Sequence, residues 1–321
     1  MTLSVIVVTY NSDAVLEHCV RAIRSTLPEA EVVIVDNSSA DGTTRLCERL
    51  DGINLLANDC NSGYGRACNQ GARAASGSHL LFLNPDVQIV QADLHVLERE
   101  LRGSQFGLVA PTLQWSARGT RTVRHWTFDL FSHVLGPLWP RELPELPQLV
   151  VRRRNWWPAG ALLMVNRAEF LSVGGFDRRF FLYYEDLDLA RRYRAAGLPI
   201  RATATVRGHH RGGTSSAGDT AAAAVRQGWS YLSWIEYLCA WYGWDTAIRA
   251  ARSAEALRAL VDRALGLLAR TGVASERARR KRLELAAVEQ FVRAHSTSSD
   301  AADFCPQARA IVRSLREHVR S

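Results

Sequence analysis

The sequence predicts an α/β fold, with a mostly parallel sheet flanked by helices and an all-helical region behind it. Three observations carry this. Short apolar, β-branched runs alternate with helical periods through the first third of the chain. Several of these runs end on a polar or acidic residue: Thr9, Asp36 and Asn84-Pro85-Asp86. From about Ala217 onward the pattern is helical, apart from a polar break near Ser296 to Asp303. Strands that alternate with helices make parallel sheets covered on both faces. Such sheets bind ligands at the carboxyl ends of their strands.

Leu3 to Thr9 is a continuous β-branched run, the pattern of a strand buried on both faces. A helix is expected from about Asp13 to Arg24, a second strand at Val32 to Val35, and a helix at Thr43 to Arg49. Ile53 to Leu56 reads as a third strand. A Gly-rich loop then opens a helix near Gly65 to Ala75, and Leu80 to Leu83 is a fourth strand. Residues 114–157 are proline-rich without a clear period and read as loops over the site. Ala161 to Val165 reads as a strand. Asp186 to Ala196 reads as a helix stopped by Gly197 and Pro199, and Ile200 to Val206 as a last strand leading to His209-His210. The expected division is an α/β domain over 1–216 and a helical region over 217–321.

Composition narrows the class. The chain has 321 residues, 47% hydrophobic and 22% charged, which is ordinary for a globular protein. The net charge of +8 suits an anionic partner: a nucleotide, a nucleic acid or an acidic membrane. Lys281 is the only lysine, so the positive charge is almost all guanidinium. That suits bidentate phosphate contacts, although coding bias produces the same usage. The six cysteines show neither CxxC nor zinc-ligand spacing, which fits a reducing, cytoplasmic compartment. No apolar run approaches the roughly 20 residues of a membrane span, so a soluble or peripheral protein is expected.

Two nucleotide folds are disfavoured. A dinucleotide-binding unit needs a glycine fingerprint after its first strand, and here that turn is Tyr10-Asn11-Ser12. A P-loop is also missing from the sequence.

The candidate residues each have two readings. Asp36 is either an Asx-turn or cap, or an acceptor for a base N–H at the strand end. Asn84-Pro85-Asp86 is either a proline-fixed turn or a place for Mg²⁺ or Mn²⁺, hard ions that take oxygen ligands and share them with phosphates. Asp188 has Arg191 and Arg192 at i+3 and i+4, which favours a salt bridge. Asp186 begins a helix. Its helix position lowers its pKa and aromatic burial raises it, a mixed setting suitable for a general base. Glu185 either complements the helix dipole or joins Asp186 in catalysis. His209 and His210 are either structural or ligands for a metal or phosphate.

Six segments in this order resemble family 2 glycosyltransferases of the GT-A fold, in the branch with many rhamnosyltransferases. They are Leu3–Asn11, Val35–Ser39, Asn61–Gly71, Leu83–Val87, Gly174–Asp177 and Phe181–Leu189. The resemblance covers roughly residues 3–215. It implies a nucleotide-diphospho-sugar transferase fold and an inverting, metal-dependent transfer of a sugar. The implied donor is dTDP-L-rhamnose, and the acceptor a hydroxyl of a saccharide or polyprenyl-linked saccharide in cell-envelope synthesis. It further implies that Thr9, Asn11 and Asp36 hold the base and ribose of the donor. Gly63 and Arg66 would approach the nucleotide, and Asn69 would support that loop. Asn84-Pro85-Asp86 stands where the family carries its Asp-x-Asp motif, with Asp86 as metal ligand and Asn84 in place of the first carboxylate. Asp186 would be the base. His209 or His210 would be the late histidine ligand; the Gly-Gly spacing favours the second and the strand length the first. Trp156 and Trp157 would face the acceptor, with Gly160 beside the donor sugar.

Two other classes compete. A sugar-nucleotide nucleotidyltransferase would need an early lysine beside a triphosphate loop, and a non-catalytic binding module would need no base. No nucleic-acid partner is expected. Trp229–Trp244 holds four tryptophans and three tyrosines, and Arg277 to Arg282 is basic. The aromatic stripe either packs the helical region onto the catalytic domain or, with the basic helices, holds a peripheral enzyme on the inner face of the cell membrane.

Overall fold

The core is built from strands whose alternate side chains serve two layers, as the period of two in a strand requires. In β1 (Leu3–Thr9), Leu3, Val5 and Val7 join one buried cluster, and Ile6 and Val8 join another. The same division runs through β2 (Glu31–Asp36), β4 (His79–Leu83) and β10 (Leu162–Asn166). One layer is covered by α1 (Asp13–Thr26), which buries Leu16, Cys19, Val20 and Ile23. The other is covered by α3 (Tyr64–Ala74), through Ala67, Cys68 and Ala72, and by α5 (Glu185–Ala195), through Leu189 and Tyr193. Burying each Val, Leu or Ile contributes about 1.5–3 kcal/mol, so a charge at any of these positions would break the layer.

The structure, a computed structural model, describes residues 2–89, 99, 107–115, 122–123, 126–127, 156–210 and 220–270. The chain divides into two compact units. Among the described residues, the first holds those up to 127, 156–177 and 185–210, and the second holds 178–184 and 220–270.

The remaining elements of the first unit are α2 (Thr43–Cys47), β3 (Ile53–Ala57), β5 (Val87–Ile89), β6 (Leu108–Trp115), β7 (Thr122–Val123), β8 (Trp126–Thr127), β9 (Trp156–Trp157), α4 (Arg167–Ser172) and β11 (Ile200–His210). The main sheet runs β3-β2-β1-β4-β10-β6-β11-β5, with β7 paired to β6. β1, β2, β3 and β4 are mutually parallel, as their intervening helices require. The sheet is mixed, however. β10 is antiparallel to both β4 and β6, and β5 is antiparallel to β11. This reversal has a functional consequence. The beginning of β10, not its end, lies at the carboxyl edge, where Leu162 pairs with Leu83. Gly160 and Ala161 are thereby carried to the turn at Asn84.

Several strands differ from the sequence expectation. β6 contains Pro111, which lacks the N–H of a ladder donor and speaks against a central strand. Pro111 pairs with Thr203 at the point where the β6–β11 register shifts, so the irregularity accommodates it. Within the stretch read as loops, the described residues pair instead: β7 with β6 and β8 with β9.

In the second unit, α6 (Thr220–Tyr242) and α7 (Trp244–Arg270) pack against each other, and residues 181–184 join their apolar cluster. Trp229 stacks on Phe181 with centroids 4.2 Å apart. Trp229, Tyr231, Trp234, Ile235 and Leu238 are all buried. The Ser233 hydroxyl donates to the Leu182 carbonyl at 2.9 Å, and the buried Glu236 pairs with Arg179 at 3.3 Å. Most rings of the aromatic segment are buried in this unit. Residues 277–282 and the polar break near 296–303 lie outside the described residues. Among the described residues no helix is long and apolar enough to cross a membrane.

Candidate active site

The carboxyl edge of the sheet gathers the sequence candidates into three groups. The first centres on Asp36, which ends β2 beside Thr9 in the parallel register. Asp36 is 1% exposed. Its Oδ1 accepts from the Thr9 hydroxyl at 2.8 Å and the Ser39 hydroxyl at 2.6 Å. Its Oδ2 accepts from the Ser39 N–H at 3.0 Å and the Thr44 hydroxyl at 3.2 Å. The bonds to Ser39 make the Asx-type turn, and Thr9 serves the carboxylate. Asn11, at φ 52°, latches the same turn from the other side. Its N–H donates to the Ser39 hydroxyl at 2.9 Å, and its Oδ1 accepts from Ala40 at 2.8 Å. A buried carboxylate satisfied by four donors fixes the loop that follows the strand.

The second group is the start of α3. Gly63 precedes the helix at φ 88°, a conformation only glycine adopts without strain. No side chain caps the helix, so its first-turn N–H groups lack a side-chain acceptor, and such a helix start favours anions. An amide network holds this glycine. Asn37 Nδ2 donates to the Gly63 carbonyl at 3.2 Å. Asn37 Oδ1 accepts from Asn58 Nδ2 at 2.9 Å and from the Ser62 hydroxyl at 3.2 Å. Asn58 and Gln70 exchange two bonds, each 2.9 Å. Sequence reasoning assigned no role to Asn58 or Gln70. The register that sets Asp36 beside Ala57 puts their successors, Asn37 and Asn58, together, and that pairing is the signal that finds them. Arg66 lies in the first turn of the same helix, half-buried. Asn69, expected to support the loop before its own helix, instead pairs with the backbone of Phe176. It donates to the carbonyl at 2.7 Å and accepts from the N–H at 2.9 Å.

The third group joins the Asn84 turn, Gly160 and the head of α5. The Ala161 carbonyl accepts from the Asn84 N–H at 2.9 Å. The Gly160 carbonyl accepts from the Tyr64 hydroxyl at 2.7 Å, and the Gly160 N–H donates to Asp186 Oδ2 at 2.9 Å. Two neighbouring residues of one strap thus contact the acidic turn, the head of α3 and the acidic head of α5. Asp186 Oδ1 also accepts from the Leu187 N–H at 2.7 Å. Burial pushes the Asp186 carboxyl up to about 6, while the N–H donors of Gly160 and Leu187 pull it back. Burial, and then the neighbouring Asp186 charge, push Glu185 well above the carboxylate range. Glu185 is buried beside Gly65, and its Oε2 has no hydrogen-bond partner. Of this pair, Asp186 ionises first. Asp188 is the salt-bridge residue its spacing predicts, bonded to Arg192 at 2.7 Å.

The resemblance implies a divalent cation at Asn84-Pro85-Asp86, and one observation tests the fit. Asn84 Oδ1 is buried and accepts no hydrogen bond. An amide oxygen left without a donor is a suitable ligand for a hard cation, and Asp86 supplies a charge two residues on. Asp86 also acts on its surroundings: burial first, and then this carboxylate, push the Cys19 thiol up to about 12. Among the described residues, no three His, Cys, Asp or Glu side chains cluster as a metal site. For His209 and His210 only the backbone is described. It places His210 opposite Val87 and His209 opposite Gln88, so the end of β11 lies beside the acidic turn. For Trp156 and Trp157 likewise, only their pairing with Thr127 and Trp126 is described.

Comparison with known proteins gives four matches. The profile of glycosyl transferase family 2 matches residues 4–150. The N-acetylglucosaminyl-diphospho-decaprenol L-rhamnosyltransferase of Mycobacterium tuberculosis is 30% identical over 225 residues, spanning 61% of this chain and 71% of that protein. Among solved structures, the mannosyltransferase PcManGT from Pyrobaculum calidifontis, in complex with GDP-Man and Mn²⁺, superposes with TM-score 0.52. It is 17% identical and covers 98% of this chain and 86% of that one. GalNAc-T7 with UDP, GalNAc and Mn²⁺ superposes with TM-score 0.53 at 18% identity, over 65% of this chain and 44% of that one. At these identities the two structures speak to the fold alone.

Proposed function

Because the chain belongs to glycosyl transferase family 2 and has the GT-A fold, we propose that it is an inverting rhamnosyltransferase. It moves L-rhamnose from dTDP-L-rhamnose to a hydroxyl of a polyprenyl-diphosphate-linked saccharide. The observation that carries this reading is the strap at Gly160-Ala161, which ties Asn84, the Tyr64 end of α3 and Asp186 into one place. Donor and acceptor classes are supported by the likeness to the mycobacterial L-rhamnosyltransferase, whose name specifies a diphospho-decaprenol acceptor.

The chemistry follows from the groups present. Asp36, Thr9 and Asn11 shape the loop that receives the base and ribose. The uncapped start of α3, with Gly63 and Arg66, faces the diphosphate. Asn84, Asp86 and His209 or His210 would hold a divalent ion, Mg²⁺ or Mn²⁺, which would neutralise charge on the departing diphosphate. Asp186 takes the proton of the acceptor hydroxyl as its oxygen attacks the anomeric carbon. The bond from that carbon to the diphosphate oxygen breaks, and dTDP leaves. One displacement inverts the anomeric centre. Trp156 and Trp157 stand within four residues of Gly160 and would form the acceptor wall. Such an enzyme works at the cytoplasmic face of the membrane that presents its acceptor, and it needs no nucleic-acid partner.

The test is a donor screen. The full chain is incubated with Mn²⁺ and dTDP-L-rhamnose, UDP-hexoses or UDP-galactofuranose, and nucleotide release is followed. The expected result is dTDP release that EDTA stops. Turnover of a UDP-sugar with none of dTDP-L-rhamnose would overturn the donor.

A further inference from the structure

We propose that Tyr64 is a positioning residue for the Asp186 base, acting through the backbone of Gly160. The inference rests on the reading of Asp186 as the base, and it concerns what holds that base in place.

The Tyr64 hydroxyl and the Asp186 carboxylate grip the two peptide groups that flank one Cα. Tyr64 donates to the Gly160 carbonyl at 2.7 Å, and the Gly160 N–H donates to Asp186 Oδ2 at 2.9 Å. A further bond, from Asn84 N–H to the Ala161 carbonyl at 2.9 Å, stops the strap from turning. Gly160 is also closely enclosed. A Cβ built there would lie 3.3 Å from Asp186 Cβ and 3.6 Å from Tyr64 Cε1, so ring, strap and carboxylate are layered in contact. Fixing the carbonyl therefore fixes the N–H that orients the carboxylate. Burial holds the Tyr64 phenol well above its ordinary value, so the hydroxyl keeps the proton it donates.

Tyr64 is itself held. It is the first residue of α3, directly after Gly63, whose carbonyl receives the Asn37 amide at 3.2 Å. Its ring packs at 6.2 Å and 58° against Phe176, whose backbone is clamped by Asn69. The helix end proposed to face the donor diphosphate and the base that attacks beside it thus share one connection. A base held to a fraction of an ångström is what a near-attack geometry requires.

The variant is Tyr64→Phe, which keeps the ring and its packing and removes one hydroxyl. Four quantities are read on the full chain: kcat with dTDP-L-rhamnose and Mn²⁺, the pH profile of kcat, Kd for dTDP, and Tm. The expected result is a kcat lowered roughly tenfold with Kd for dTDP unchanged within about twofold. The acidic limb should move to higher pH, because a loosened Gly160 N–H stabilises the Asp186 carboxylate less. Gly160→Ala, which pushes a methyl against both neighbours, should lower kcat and move the limb the same way. ¹³C titration of the Asp186 carboxyl in wild type and Tyr64→Phe reads the same restraint without turnover. An unchanged titration, or an unchanged kcat and acidic limb, overturns the proposal; so does an effect confined to dTDP affinity. The underlying reading fails separately, by an Asp186→Asn enzyme that retains activity.

Discussion

The Gly160 N–H donates to Asp186 Oδ2 at 2.9 Å, joining the strap before β10 to the first turn of α5. Together with the Leu187 N–H on Oδ1, this gives each carboxylate oxygen a backbone donor. Burial favours the neutral acid and the two N–H groups favour the carboxylate. The balance, at about 6, leaves Asp186 ionised at neutral pH yet a better proton acceptor than an exposed aspartate. A general base requires that compromise.

The first prediction concerns this carboxylate. Only ionised Asp186 accepts a proton, so kcat should rise as pH passes through about 6 and level off above it. Asp186→Asn should lose about 10² to 10⁴ in kcat while keeping dTDP affinity. Rate profiles and calorimetric titration with dTDP check both halves. A variant with more than about half of the wild-type kcat would assign the proton to Glu185 or Asp188.

A second prediction concerns Glu185, which is neutral where Asp186 is charged. Its folded pKa lies well above the usual carboxylate value. A carboxyl raised in this way favours the fold at low pH, and that contribution is lost as pH rises through the folded value. Glu185→Gln copies the neutral form in size and shape. The variant should match the wild-type Tm near pH 4 and exceed it near pH 9, with kcat largely kept. Melting curves at both pH values decide it; an equal difference at both would mean that Glu185 is ionised in the fold.

Much of the sheet was legible because β1, β2 and β4 are buried on both faces and read as unbroken apolar runs. Less legible were features set by pairing across long separations. β6 was hidden by Pro111, whose place depends on a register shift in β11. The antiparallel direction of β10 has no local signature, yet it delivers Gly160 to the site. The candidates Asp36, Asn84 and Asp186 could be picked out because strand ends and helix starts announce themselves locally. Asn58 and Gln70 could not, since each matters only through the other and through Asn37. The aromatic run in α6 was ambiguous for a physical reason: rings that suit a membrane interface suit a protein core equally well.

The amide network gives a third prediction. Asn58 Nδ2 donates to both Asn37 Oδ1 and Gln70 Oε1. Asn58→Asp removes both donors and sets a carboxylate among acceptors, at a cost of about 1–3 kcal/mol. Gly63 then loses its anchor, so Kd for dTDP should rise about tenfold or more, while kcat at saturating donor changes little. Steady-state kinetics separate the two. A fall in kcat with unchanged KM would place the network at the acceptor side instead.

The acidic turn gives a fourth. If Asn84 Oδ1 and Asp86 hold a divalent ion, Asp86→Ala should abolish the gain in dTDP affinity that Mn²⁺ provides and leave the metal-free affinity unchanged. In wild type, dTDP at about 100 times its Kd should stabilise the fold by roughly 2.7 kcal/mol. Thermal shifts with dTDP, with and without Mn²⁺ or EDTA, measure this. Indifference of the wild-type affinity to EDTA would reduce Asn84-Pro85-Asp86 to a turn.

The last prediction separates the two uses of an aromatic helix face. Trp234 is fully buried, within a cluster that includes Tyr231, Ile235, Leu238 and Ala251. Removing such a ring leaves a cavity that neighbours fill only in part, which costs about 3–5 kcal/mol. Trp234→Ala should therefore lower the Tm of the full chain sharply. A membrane-facing ring behaves oppositely: its loss weakens vesicle binding and spares the fold. Co-sedimentation with phosphatidylglycerol vesicles at low and high salt, run beside the melting curves, tells them apart. If wild type binds such vesicles at low salt, the attachment should survive replacement of the exposed Tyr242 by Ala and vanish in high salt, as charge attraction would. An unchanged Tm in Trp234→Ala, together with lost vesicle binding, would return the aromatic face to the membrane.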